Sequence, residues 1–146
     1  MKRTWAIALV VLIACGLLGA RKDETLDELK ARAEAARLED RPPLYTQMAH
    51  LQLEAADKLY SEGRVDEARA AVDDVVRYSD QARDAAMKTG KQLKHVEISL
   101  RKMAERLRDI RRTLAFEDQP PVQTASDRLE TMRTELLAHM FGKEKH

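Results

Sequence analysis

The sequence predicts an all-α protein, an elongated antiparallel helical bundle or coiled coil built on one long central helix. Three observations predict it. Charged residues make up 35% of the chain and aromatic residues 4%, the balance of long helices rather than sheets. Apolar residues recur at alternating spacings of three and four over most of its length. The five glycines and four prolines cluster at a few places, and those in the body of the chain divide the periodic stretches.

The first element is an address. Met1-Lys2-Arg3 is basic, and Thr4 to Ala14 carries no charge, so residues 1–20 read as a secretory signal or an N-terminal membrane anchor. Leu12-Ile13-Ala14-Cys15 resembles the lipobox of bacterial lipoproteins. That resemblance implies that the Cys15 sulfur is lipidated and that Cys15 becomes the new N-terminus. Two other routes stay open to the same residues: cleavage near Gly16 or Ala20 into a secreted form, or retention of residues 4–20 as a short anchor. Cys15 is the one cysteine, so the region beyond it has no disulfide, thiol nucleophile or thiolate ligand.

The helical domain, residues 21–146, follows as one unit. Leu26, Leu29, Ala33 and Ala36 mark a short helix over about 25–39. Leu44, Met48, Leu51, Ala55 and Leu59 form the stripe of a second helix over 43–61, opened by Pro42-Pro43 where a missing N–H costs nothing. Gly63 closes it. From Val65 to Leu114 the seam Val65, Ala68, Val72, Val75, Ser79, Ala82, Ala86, Thr89, Leu93, Val96, Leu100, Met103, Leu107, Ile110, Leu114 runs without a slip. Such a run predicts one helix over 65–115, about 50 residues and roughly 75 Å long. Gly90 is its weak point. Pro120-Pro121 then opens a last helix over 121–141, with Val122, Ala125, Leu129, Met132, Leu136 and Met140 as its stripe and Gly142 at its end. The stripe of the long helix is wider than a zipper seam, which suits a bundle. Its second half is covered by only one helix in this arrangement. Leu93, Leu100, Leu107 and Leu114 are therefore expected to be a self-association seam, with a homodimer as the partner.

Ala56, Leu59, Gly63 and Ala68, followed by Val72 and Val75, resemble one tetratricopeptide repeat: a small residue before a bulky one, glycine in the turn, alanine heading the second helix. The likeness spans about 35 residues, and a solenoid needs three such units. It therefore implies a helical hairpin and no peptide groove. Pro42-Pro43-Leu44 with Thr46 and Pro120-Pro121-Val122 with Thr124 echo one another faintly, as two helix starts can by chance.

Catalytic and metal patterns are poor. Among His50, His95, His139 and His146 none lies three or four residues from another, and no Glu-x-x-His occurs. His95 with Met103 or Met132 could serve as axial ligands of a haem, but methionine at seam spacing is usually core filler. Asp66-Glu67 and Asp73-Asp74 sit where acidic charge complements a helix N-terminus. No cofactor, metal or catalytic residue is expected.

One feature rises above this background. Nine basic residues against three acids lie between Lys88 and Arg112. Lys94, Arg101 and Arg108 recur every seven positions, and with Lys102 and Arg112 they make a basic face opposite the seam. Its expected partner is an anionic surface or an envelope protein; export and the lack of stacking aromatics argue against nucleic acid. The sequence thus points to an exported, membrane-tethered, non-catalytic interaction or structural protein of the bacterial envelope. The alternative is a periplasmic holdase-type chaperone or binding protein that uses the same basic face.

Overall fold

The computed structural model describes residues 24–142; the export segment with Cys15 lies outside them. Among the described residues there are five α-helices and no strand: α1 (Leu26–Ala35), α2 (Arg41–Ser61), α3 (Val65–Thr89), α4 (Leu93–Thr113) and α5 (Gln119–Phe141). None of these helices is long and apolar enough to cross a membrane.

The all-α bundle expected from composition and periodicity is present. Its central helix is not 50 residues long. It is two helices, α3 of 25 residues and α4 of 21. Gly90 adopts a left-handed conformation (φ 68°) and Gln92 a second one (φ 64°), and between them they reverse the chain. The Gly90 N–H still donates to the Ala86 carbonyl at 2.8 Å, and the Thr89 hydroxyl donates to the Ala85 carbonyl at 2.8 Å, so the last turn of α3 is satisfied as it stops. The seam stays in phase across the turn because both helices aim it at the same core.

Cross-helix pairs fix the topology. Thr46–His95 and Asp57–Arg106 both join residues 49 apart, so α2 and α4 run parallel. Gln52 meets Asp74 from α2 to α3, and Glu97 meets Arg133 from α4 to α5; both of these pairs are antiparallel hairpins. Arg83–Glu135 places α5 beside α3. Each of α2, α3, α5 and α4 therefore has two neighbours in a square, and α3 crosses to α4 along its diagonal. The short α1 lies on α2.

This arrangement disposes of the expected self-association seam. Leu100 and Leu107 have no exposed surface, and Leu93 and Leu114 pack against the same core, covered by α2 and α5 of their own chain. The core continues through Met48, Leu53, Val72, Val75, Leu129 and Leu136. Ala68, Ala82 and Ala86, all fully buried, allow close approach to α3. Gly63 (φ 75°) closes the α2–α3 turn: the Arg64 N–H reaches the Leu59 carbonyl at 2.9 Å and the Gly63 N–H the Tyr60 carbonyl at 3.0 Å. Gly142, by contrast, stays right-handed (φ −65°).

The faint echo between the two Pro-Pro segments is a repeated structure. Ahead of each proline pair lies a 3-10 turn, Leu38–Asp40 or Phe116–Asp118. The preceding residues Ala36 and Leu114 have φ/ψ of −80°/154° and −90°/154°; Asp40 and Asp118 have −97°/−7° and −94°/−9°. In each corner the first helical residue caps the helix before it. Arg41 Nε donates to the Ala36 carbonyl at 3.0 Å, and Gln119 Nε2 donates to the Leu114 carbonyl at 3.1 Å. This explains why α1 ends at Ala35, short of the expected 39, with neither glycine nor proline to stop it. A donor from the next helix satisfies its last carbonyl.

Candidate functional site

Helix α4 carries the basic face, and its two edges have different tasks. Lys94, Arg101 and Lys102 are exposed, and none forms an ion pair among the described residues. Arg108 does not belong with them. It turns to the α5 edge, where it meets Glu130 and the Ser126 hydroxyl, each at 3.4 Å. Arg112 pairs with Asp109 on its own helix at 3.0 Å. On the same edge Glu97 is 7% exposed and accepts from Arg133 Nε at 2.7 Å. The hydrogen bond to Glu97 holds the Arg133 guanidinium above its ordinary pKa. Glu130 bridges Arg133 and Arg108, so a ladder of alternating charge stitches α4 to α5. The outward stripe of Lys94, Arg101 and Lys102 is what remains for a partner.

The opposite edge of α4 borders a cleft of about 680 Å³, walled by α1 and α4 and floored by α2. Arg32, Ala35 and Ala36 contribute from the α1 side, Asp40 from the corner that follows it, Thr46, Gln47 and His50 from α2, and His95 and Ser99 from α4. The parallel register of α2 and α4 brings His50 and His95 together, although 45 positions of sequence separate them. The Thr46 hydroxyl donates to the Pro43 carbonyl at 2.9 Å and so has only its lone pairs left for His95 Nε2, 3.2 Å away. With the Thr46 hydroxyl so assigned, the His95 proton sits on Nε2 and Nδ1 is left for another partner. His50 is exposed at the cleft mouth, yet desolvation by its neighbours lowers its pKa from 6.5, and the positive charge of His95 and Lys102 lowers it further, against an opposing pull from Glu54. Arg32 pairs with Glu24, which raises its pKa.

The cleft was not legible in the sequence, because it depends on the reversal at Gly90. The same register removes the haem arrangement: Met103 and Met132 are fully buried in the core, whereas His95 is exposed and engaged by Thr46. Among the described residues no group of three or more histidine, cysteine or carboxylate side chains is placed to hold a metal. Chemically, the cleft offers two imidazoles, a serine hydroxyl, the Arg32 guanidinium and a nearby ammonium, against the single carboxylate of Asp40 in its lining. That donor set suits hydrogen bonding to an acidic group.

No family model matches the chain, and neither a curated protein nor a solved structure is significantly similar to it.

Proposed function

We propose that this chain is an exported, membrane-tethered helical interaction protein of the bacterial envelope, in which the outward face of α4 meets an anionic surface or an acidic partner. The observation that carries the reading is the stripe of Lys94, Arg101 and Lys102, exposed and without carboxylate partners among the described residues. Arg83, by contrast, is engaged by Asp80, Asp84 and Glu135. The basic start and apolar run of residues 1–20 support the tether.

A photo-crosslinker at Arg101 tests the contact in cells, with one at Asp66 on the start of α3 as the control. A discrete adduct from Arg101 that fails to form in a Lys94→Glu, Lys102→Glu background supports the reading. Equal adducts from both positions remove it. For the tether, labelled fatty acid should enter the wild type and not Cys15→Ser. Incorporation into neither, together with full-length chain in the cytosolic fraction, would overturn the envelope assignment.

A further inference from the structure

The α1/α4 cleft has features that the packing of the bundle does not require. Two histidines on separate helices, both exposed, share one side of it. His95 Nε2 lies 3.2 Å from the Thr46 hydroxyl, which itself reaches the Pro43 carbonyl at 2.9 Å. Ser99, 8% exposed, lines the same wall. Glu24 pairs with Arg32, and Asp40, the carboxylate that lines the cleft, lies 3.7 Å from the exposed Arg37. Glu54 is the one acid that acts appreciably on His50, and His95 and Lys102 oppose it. With both rings protonated, these two imidazolium charges and Lys102 outnumber the cleft's carboxylates, Asp40 and Glu54.

We propose that this cleft binds a phosphate group, either of a small soluble phosphomonoester or of a lipid headgroup, held by His50, His95 and Ser99 of its lining, with Lys102 reaching over from the outward face of α4. Protonated His95 donates from Nε2 to Thr46 and has Nδ1–H free for the ligand, an arrangement that suits an anion. A tetrahedral phosphate has oxygens for donors arriving from both α2 and α4, whereas a planar carboxylate has only two. A transition metal is a poorer fit, since no third ligand stands with the two rings among the described residues. The volume, about 680 Å³, admits a molecule larger than the bare ion. Binding draws a proton onto His50, because the ligand sets negative charge beside a ring that desolvation otherwise keeps neutral. Arg32 on α1 adds little while Glu24 holds it.

Imidazole resonances of the full-length chain, titrated with inorganic phosphate and with glycerol 3-phosphate, test this directly. His50 and His95 should move together and saturate, with affinity at least about tenfold higher at pH 6 than at pH 8, while His139 on α5 stays still. His95→Gln and Lys102→Gln should each weaken binding several-fold with unchanged helicity, and Lys94→Gln, outside the cleft, should leave it intact. Vesicles of phosphatidylglycerol compared with phosphatidylcholine separate the sources. Shifts with the anionic vesicles assign a lipid headgroup, and shifts with the soluble esters alone assign a metabolite. Movement of His139 equal to the other two, equal losses from Lys94→Gln and Lys102→Gln, or a response to zinc but not to any phosphate would overturn the proposal.

Discussion

Ser79 lies in the middle of the α3 seam with no exposed surface, and its Oγ finds no hydrogen-bond partner among the described residues. A buried hydroxyl left unpaired costs about 1–3 kcal/mol. Alanine removes the hydroxyl, leaves a negligible void and is the better helix former. Ser79→Ala should therefore stabilise the fold by about 1 kcal/mol, seen as a higher urea midpoint with an unchanged slope; a loss of stability would mean that the hydroxyl has a partner. His50 makes the opposite case, a polar side chain whose cost depends on pH. Its folded pKa lies below 6.5 because desolvation disfavours the charged ring. The unfolded chain then binds the proton more readily, so stability present above 6.5 is lost as pH falls through the folded value. Ligand-free His50→Gln should lose less stability than the wild type between pH 7 and 5. Equal slopes for the two proteins would show that His50 is not the group responsible.

At the scale of the element, the turn at Gly90 offers a test in which the sign decides. A Cβ at Gly90 meets nothing within 4 Å, so only the backbone matters there. In an uninterrupted helix, Gly90→Ala would stabilise by about 1 kcal/mol. In the turn, the left-handed φ of 68° makes the same change destabilising by about 1–2 kcal/mol. Gln92, at φ 64°, is a non-glycine residue in the same region, so Gln92→Gly should stabilise by up to about 1 kcal/mol. Thermal melts of both variants check the pair. The turn was hard to read because Ala86, Thr89, Leu93 and Val96 keep their spacing through it, and periodicity reports which side faces the core but not whether the chain has reversed. The starts of α2 and α5 were readable because Pro42-Pro43 and Pro120-Pro121 announce themselves. The end of α1 was not, since Arg41 caps it from the next helix through a tertiary contact that no local signal records.

For the whole molecule, the reversal at Gly90 changes what α4 is available to do. In a continuous spine, the apolar side of Leu93, Leu100 and Leu107 would stand open for a second copy. In the square bundle that side is spent on α2 and α5, and only the outward cations and the histidine edge face a partner. The two sites therefore follow from topology, and only the cations of the first could be found from sequence. His50 and His95 become neighbours, and Arg108 leaves the basic face for Glu130, once α2 and α4 run parallel. A distance measurement separates the two architectures. Asp66 at the start of α3 and Asp109 near the end of α4 would lie about 65 Å apart on one straight helix. In the bundle both belong to the same end, where Arg69 approaches Asp118 at 3.8 Å. With helix axes 8–10 Å apart along each side of the square, spin labels at the two positions in a Cys15→Ser background should report a separation under about 30 Å. A dominant distance beyond about 50 Å would restore the single spine, return the Leu93–Leu114 side to solvent and dissolve the histidine cleft.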